Sequence, residues 1–160
     1  MSEEKGIETF VPRKSKKIWG YENYVWAIGE TKVQNYYLPR ACPRICIDVE
    51  ELLWHKISLV ELKEGYKKLI LAPEDWQRKI EEVTLYQYEF ARTNFKCIDT
   101  VARYYVSNAV EIPKNVIKIE DCILALEKRK TQLVFRKRGD LDRLKKEIWE
   151  KTHKVSIIRF

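Results

Sequence analysis

Aromatic and β-branched residues are dense in residues 18–47, where glycines and prolines interrupt them. This density favours antiparallel β structure, with a turn predicted at Gly29–Thr31. Pro39 and Pro43 then break the pattern, because proline cannot donate to a strand ladder. The residues that follow, 44–47, predict a short third strand.

Apolar residues after Pro73 recur at three- and four-residue steps, which is the spacing of one face of an α-helix. Proline followed by Glu74 and Asp75 is typical of a helix start, since acidic side chains favour the positive end of the helix dipole. We therefore predict one long central helix that continues to about Ser107. Its apolar face comprises Trp76, Ile80, Val83, Phe90, Cys97, Val101 and Tyr104.

Four shorter helices are predicted around this long one. The first follows Asp48, and the second starts at Ser58 with the residue spacing of a capping box. The others cover about 118–131 and 141–154, while 155–160 suits a terminal strand that pairs with the N-terminal β region. The predicted fold is α+β and mostly helical, with a small N-terminal antiparallel β segment packed by about five helices.

One folded domain is expected. Residues 1–17 lack hydrophobic periodicity and end in a basic run, which predicts a flexible basic arm before a single α+β domain over residues 18–160. A chain of 160 residues can bury one substantial core. No apolar run approaches the ~20 residues of a membrane helix, and the first ten residues lack the apolar core of a secretion signal. An intracellular protein without a membrane partner is therefore expected.

Positive charge is concentrated near the C-terminal end. The chain has 31 Lys and Arg against 24 Asp and Glu, which gives a net charge of +7. Residues 122–160 hold 12 of the basic and five of the acidic residues, so they carry the whole excess. A focused basic region attracts phosphate at long range and releases counterions when it binds. Nucleic acid, with DNA favoured, is therefore the predicted partner.

The candidate nucleic-acid-binding residues come from two basic clusters, from the helix after them and from the predicted long helix. They are Lys128, Arg129, Lys130, Arg136, Lys137, Arg138, Arg143, Lys146 and Arg92. The alternative interpretation is an ordinary solvated helix surface with surplus lysines. The nucleic-acid interpretation leaves open whether the ligand is DNA or RNA and whether it is single- or double-stranded.

A polar stripe on the predicted long helix comprises Glu82, Leu85, Glu89, Arg92, Lys96, Asp99 and Arg103. One interpretation is a solvated face with surface ion pairs. The other is the wall of a cleft, in which Glu89 is the catalytic carboxylate of a nuclease that needs Mg²⁺ or Mn²⁺. Because Asp99 would lie about 15 Å further along a helix, a second metal ligand would have to come from elsewhere, such as Glu111 or Asp121.

Outside that alternative, no metal or cofactor is predicted. Cys42 and Cys46 form one pair at a zinc-like spacing, but zinc prefers four soft ligands. Burial as structural thiols is therefore expected for Cys42, Cys46, Cys97 and Cys122. A disulfide is the alternative, since scarce Met, Asn and Gln with abundant Ile, Lys and Glu indicate a hyperthermophile, whose interior tolerates disulfides.

Many aromatic residues lie in the predicted β segment: Tyr21, Tyr24, Trp26, Tyr36 and Tyr37. Base stacking on such a surface is conceivable, but core and dimer packing are favoured, which makes a homodimer a possible state. A third hypothesis for function is a helical structural or interaction subunit of a virus or a larger complex. In that case the basic region would contact an acidic protein or packaged nucleic acid.

Overall fold

The computed structural model describes residues 1–14, 23–57 and 61–160. The chain divides into two compact units, each formed from two stretches of sequence. Unit 1 comprises Met1–Val33 and Leu85–Ile119, and unit 2 comprises Gln34–Thr84 and Glu120–Phe160. The second stretch of unit 1 therefore separates the two stretches of unit 2 along the chain.

Ten strands, four α-helices and two 3-10 helices are formed by the described residues. The strands are β1 (Arg13–Lys14), β2 (Asn23–Ile28), β3 (Arg44–Asp48), β4 (Lys68–Pro73), β5 (Leu85–Glu89), β6 (Lys96–Asp99), β7 (Tyr104–Ser107), β8 (Asn115–Ile119), β9 (Thr131–Arg136) and β10 (Val155–Ile158). The α-helices are α1 (Val49–Trp54), α2 (Gln77–Glu82), α3 (Cys122–Lys128) and α4 (Arg138–Lys151), and the 3-10 helices cover Glu30–Tyr36 and Glu74–Trp76. None of these helices is long and apolar enough to cross a bilayer.

The prediction of a mostly helical fold is wrong, since 34% of the residues are in strands and 29% in helices. The long central helix expected between Pro73 and Ser107 ends at Glu82, and β5, β6 and β7 occupy the rest of that segment. Short strands joined by turns can reproduce three- and four-residue apolar steps, and the tyrosines of β5 and β7 favour strands. Pairing with distant strands overrides the apparent helical period.

Some of the other predicted elements are confirmed and others are wrong. Helices after Asp48, near 118–131 and near 141–154 are confirmed as α1, α3 and α4. The helix expected from Ser58 is wrong, because residues 61–67 are not helical and the apolar residues after them form β4; Ser58 itself lies outside the described residues. The predicted turn at Gly29–Thr31 is the start of a 3-10 helix.

Unit 2 is built on a four-stranded mixed sheet with the order β10-β3-β4-β9. β3 is antiparallel to both of its neighbours, and the pairing of β10 with β3 confirms the predicted terminal strand. β4 and β9 are parallel, with Lys68 opposite Thr131 and Pro73 opposite Arg136. Parallel strands have their carboxyl ends at the same edge of a sheet. The residues that follow β4 and β9 therefore start from one edge.

The core of unit 2 lies on both faces of this sheet. All six residues of β4 are buried, as expected of a central strand covered on both sides. One face packs against α1 and α4 in a cluster of Ile45, Ile47, Leu52, Ile57, Leu69, Leu71, Leu141, Leu144 and Ile148. The alternate residues Ile70 and Ala72 point to the opposite face and are also completely buried.

Unit 1 has a four-stranded sheet with the order β1-β2-β7-β6 and a separate pair formed by β5 and β8. The segment predicted as a flexible arm contributes to both. Ser2 pairs with Tyr86, Phe10 packs its ring 5.1 Å from that of Tyr88, and Arg13 lies opposite Tyr24. Residues 15–17 of the predicted arm lie outside the described residues.

Glu51 links α1 to the C-terminal segment of unit 2. Its Oε1 accepts a hydrogen bond from Lys154 Nζ at 2.9 Å, and its Oε2 accepts one from Thr152 Oγ1 at 3.1 Å. His55 Nε2 lies 3.5 Å from the same Oε2. The bond from Lys154 is the largest cause that lowers the pKa of Glu51, and in return Glu51 raises the pKa of Lys154.

Replacement of Glu51→Gln should lower the free energy of unfolding by about 1 kcal/mol at pH 7, because hydrogen bonds to a charged acceptor are lost. A carboxylate whose pKa is lowered by folding stabilises the protein above its ordinary pKa, and this contribution is lost as the pH falls through the lowered value. Urea unfolding at stepped pH should therefore show wild type and variant converging below about pH 4. The neighbouring Glu50→Gln, an exposed position, should change little at any pH.

Candidate functional site

The basic C-terminal region of the sequence is divided by β9. Lys128, Arg129 and Lys130 precede the strand, and we call them the amino-end group; Arg136, Lys137 and Arg138 lie at its other end, and we call them the carboxyl-end group. A strand rises about 3.3 Å per residue, so Lys130 and Lys137 are roughly 23 Å apart. The clusters form two separate groups at opposite ends of the sheet.

The carboxyl-end group lies where β9 ends and α4 begins. Lys137 is the N-cap residue of α4 and has an extended backbone, and the first helical bond joins Leu141 N to Lys137 O at 3.1 Å. Apart from Gly139 itself, its chain neighbours and the nearby backbone of its own helix, no described atom lies within 4 Å of the position where a side chain would start at Gly139. The first N–H groups of a helix have no partner within it and favour anions. This helix terminus is open in its first turn.

The three members of the carboxyl-end group differ in their partners. Arg138 donates from Nε and Nη2 to Oδ2 of Asp75 at 3.1 and 2.6 Å, and this bond raises the pKa of Arg138. Arg136 donates from Nη1 to the carbonyl of Phe135 at 2.9 Å. Lys137 is exposed, and no described acidic side chain forms an ion pair with it. One of the three charges therefore has an acidic partner.

A buried arginine that the sequence analysis did not single out belongs to the same edge. Arg44 begins β3 beside the end of β4, and its side chain is only 1% exposed. Its Nε donates to the carbonyl of Asn35 at 2.8 Å, and its Nη1 donates to the carbonyls of Pro39 and Cys42 at 3.1 and 2.9 Å. Burial lowers the pKa of Arg44. The only signal in the sequence was a charged residue at the head of an apolar strand.

Hydrogen bonds to uncharged acceptors offset the free-energy cost of removing the Arg44 guanidinium from water. The three carbonyls satisfy guanidinium donors, and the ring of Tyr36 lies 5.4 Å from its central carbon. No described carboxylate pairs with it. The bonds hold the loop over residues 35–42 against the sheet, while the positive charge stays uncompensated by an anion.

Arg159 adds another cation to this edge. Ile158 lies opposite Arg44 in the register of β10 and β3, so Arg159 continues from the same end of the sheet. Its backbone is left-handed with φ 60°, and its Nε donates to the carbonyl of Arg40 at 3.2 Å. Arginines from three strands therefore lie at this edge: Arg44 of β3, Arg136 of β9 and Arg159 directly after β10.

The amino-end group has different surroundings. The guanidinium of Arg129 lies 5.6 Å from the ring centre of Tyr37, while Lys128 and Lys130 are exposed. Lys130 has a left-handed backbone, and its carbonyl accepts from Lys67 N at 2.8 Å, which aligns β4 with β9 at their start. Helix α3 ends at Lys128, directly before this end of β9, so the amino-end group adjoins the carboxyl terminus of a helix.

Arg143 and Lys146 lie on the outward face of α4, opposite the buried Leu141 and Leu144. Arg143 Nη2 is 3.0 Å from Oδ1 of Asp140, so part of its charge is compensated one turn away. Lys146 is exposed. The predicted basic face of this helix is thus mixed in charge.

Glu89 and Arg92 belong to unit 1, whereas the other predicted site residues belong to unit 2. Glu89 ends β5, where it accepts hydrogen bonds from Gln87 Nε2 at 2.9 Å and Asn115 Nδ2 at 3.0 Å. The guanidinium of Arg92 lies 5.7 Å from the ring centre of Tyr105. The prediction that Glu89 and Arg92 share one face of a helix is wrong, because Glu89 lies in β5 and Arg92 follows that strand.

The other carboxylates considered as metal ligands have local partners. Glu111 accepts from Ser107 Oγ at 2.5 Å, Asp121 caps α3 by accepting from Leu124 N at 2.8 Å, and Asp99 accepts from the main chain of the turn after β6. Among the described residues, no three His, Cys, Asp or Glu side chains are grouped so that they could hold a metal ion.

All four cysteines are free thiols. Burial raises the pKa of Cys42 to about 11, of Cys46 to about 12 and of Cys122 to about 11. Burial is confirmed for these three, but it is wrong for Cys97, which is exposed on β6. The error follows from placing Cys97 on the inner face of a helix that does not exist.

Residues 1–160 match the family of unknown function DUF6886, and the chain belongs to that family. The match covers both units of the fold. No curated protein and no solved structure is significantly similar to the chain.

Thiol reactivity should separate the cysteines into two classes. At pH 8 a disulfide reagent such as DTNB should modify one thiol of the native protein rapidly and three more only after unfolding, because thiolates react and buried thiols with raised pKa values stay protonated. Cys97→Ser should remove the rapid phase, and Cys122→Ser should keep it. Two rapidly reacting thiols in the native protein would contradict the burial of at least one of Cys42, Cys46 and Cys122.

Proposed function

We propose that the chain binds nucleic acid, with DNA favoured, through the edge of unit 2 where β9 ends and α4 begins. The contacts to phosphate come from the carboxyl-end group and from the first N–H groups of α4. The observation that carries this proposal is a basic tripeptide at the junction of a parallel strand and a 14-residue helix. Ligands of open α/β sheets characteristically bind outside the carboxyl ends of the parallel strands, and helix N-termini bind anions.

The charge balance at this edge supports an anionic ligand. Arg44 and Arg159 lie at the same edge of the sheet as the carboxyl-end group, and Arg44 is buried without a carboxylate partner among the described residues. Cations that lack compensating acids repel one another, and a bound phosphate relieves that repulsion. The amino-end group lies beyond the other end of β9 and has neither a helix N-terminus nor the buried arginine.

The side chains contribute in different ways. Lys137 is exposed and supplies a point charge, whereas Arg136 and Arg138 can offer paired donors to phosphate oxygens. Asp75 competes with phosphate for Arg138, to which it is bound at 2.6 Å. Arg44 contributes its charge without contacting phosphate, because its hydrogen bonds are to the carbonyls of the 35–42 loop. Sequence readout is not part of the proposal, since phosphate contacts carry no base information.

Salt dependence of DNA affinity tests the proposal most directly. Each phosphate contact contributes about 0.9 to the slope of log K against log salt for duplex DNA. The triple variant Arg136→Ala, Lys137→Ala and Arg138→Ala should reduce the slope by two to three and weaken binding at least tenfold, as measured by fluorescence anisotropy with a labelled duplex. The matched control, Lys128→Ala with Arg129→Ala and Lys130→Ala, removes the same charge and should leave the slope nearly unchanged.

Asp75→Asn provides an opposite prediction in the same titration. Removal of this carboxylate frees Arg138 and subtracts a negative charge from the edge, so binding should tighten by roughly three- to tenfold at low salt. Unfolding cannot imitate a gain in affinity. Unchanged affinity in both the triple variant and Asp75→Asn, or equal losses in the triple variant and its control, would contradict binding at this edge.

A further inference from the structure

One face of the four-stranded sheet of unit 1 presents an exposed tryptophan. Strand register places Trp26 of β2 opposite Val106 of β7, and Val106 lies opposite Lys96 of β6. Because residues directly opposite each other have side chains on the same face, these three side chains share one face. Trp26 is 40% exposed and Lys96 is also exposed, whereas Val106 between them is buried. A large aromatic side chain is therefore accessible beside a cation.

A second aromatic ring contacts Trp26 in a nearly perpendicular arrangement. The centre of the Tyr104 ring lies 6.1 Å from that of Trp26, and the two ring planes meet at 79°. In such a contact the edge of one ring meets a face of the other, so the contact occupies at most one broad face of the Trp26 indole. Exposed aromatic rings on a sheet are platforms on which unpaired nucleobases stack, because every base has a π-face.

Cations lie on both sides of this tryptophan. Arg13 of β1 is opposite Tyr24, which shares a face with Trp26 two residues further along β2, so Arg13 lies one diagonal step from Trp26. Lys96 lies two strands away in the other direction, at roughly 10 Å between main chains. Both cations are exposed. The accessible indole is therefore placed between two positive charges.

One acidic residue shares this face among the described residues that pair in the sheet. Asp99 lies opposite Tyr104, and its Oδ1 accepts hydrogen bonds from the N–H groups of Val101 and Ala102 at 2.9 and 2.7 Å. These bonds from the turn after β6 partly compensate its charge. The paired residues of the face therefore carry two cations against one acid, which favours a ligand that is both aromatic and anionic.

We propose that this surface, which we call the Trp26 face and which comprises Arg13, Trp26, Lys96 and Tyr104, binds single-stranded nucleic acid. An unpaired base stacks on Trp26, and Arg13 and Lys96 contact phosphates on either side of it. Bases and phosphates alternate along a single strand, which matches an indole between two cations. A duplex keeps its bases within its own stack, so the Trp26 face selects unpaired strands. The proposal uses residues of unit 1 alone and does not require the phosphate contacts proposed for unit 2.

Fluorescence anisotropy with labelled oligo(dT) and with an abasic strand of equal length tests the base contact. The wild type should bind oligo(dT) more tightly, because the two strands carry the same phosphates and only one carries bases. Trp26→Ala should weaken oligo(dT) binding about five- to 100-fold and remove this preference, whereas Trp26→Phe keeps a stacking ring and should retain most of the affinity. The matched control Trp54→Ala, at a residue 82% exposed on α1, should change neither. The same losses are expected with oligo(rU), and the tighter of the two strands identifies the ligand as DNA or RNA.

The cations are tested by the salt dependence of the same binding. Arg13→Ala with Lys96→Ala should reduce the slope of log K against log salt by about 1.4, since each phosphate contact on a single strand contributes about 0.7. Circular dichroism should show that these variants and Trp26→Ala keep the wild-type fold.

Three results would overturn the proposal. They are equal wild-type affinities for oligo(dT) and the abasic strand, oligo(dT) binding that Trp26→Ala leaves unchanged, and a Trp26→Ala variant that differs from the wild type only in a lower sedimenting mass. The last result would make the Trp26 face a protein interface.

Failure of this proposal is distinguishable from failure of binding at the edge of unit 2. The triple variant of the carboxyl-end group should lose duplex affinity and keep the preference for oligo(dT) over the abasic strand. Trp26→Ala should lose that preference and keep duplex affinity. A wild type with the expected duplex salt slope and no preference for bases would therefore contradict the Trp26 face alone.

Discussion

The parallel pairing of β4 with β9 is the constraint on which the structure of unit 2 depends. Every residue of β4 is buried, and its neighbours on both sides and the packing on both faces must be in place for that burial. Parallel strands also need a long crossover connection. Here the connection contains α2, the whole second stretch of unit 1 and α3. The two strands of this pair are therefore separated in the sequence by the second stretch of unit 1.

The same pairing decides where the positive charge lies. It brings the ends of β4 and β9 to one edge, to which β3 contributes Arg44 and β10 contributes Arg159. Desolvation of Arg44 is offset by three main-chain carbonyls, so the buried charge orders a loop and still adds to the field at the edge. Asp75 opposes this field at one point through Arg138. The edge thus combines a structural arginine with exposed cations beside a helix terminus.

Much of unit 2 follows from local patterns, whereas most of unit 1 does not. A cap residue with an apolar stripe predicted α1, α3 and α4, since helical contacts are close in sequence. Glu89 and Asp99 were predicted to share the face of one helix because polar residues recur there at three- and four-residue steps. Short strands joined by turns can show the same spacing, so the spacing alone does not distinguish them from a helix. The strands of Glu89 and Asp99 depend on pairing with other strands, β5 with the distant β8 and β6 with β7 in a hairpin, and a local apolar period reveals neither pairing. The exposure of Cys97 was missed for the same reason.

Composition and order along the chain were enough to show that basic residues concentrate after residue 121, because charge is a property of each residue. They could not show that β9 divides those residues into two groups, nor that Arg44 joins one of them. Such juxtapositions depend on strand register and on the direction of β9 beside β4, which arise from contacts between segments far apart in the sequence.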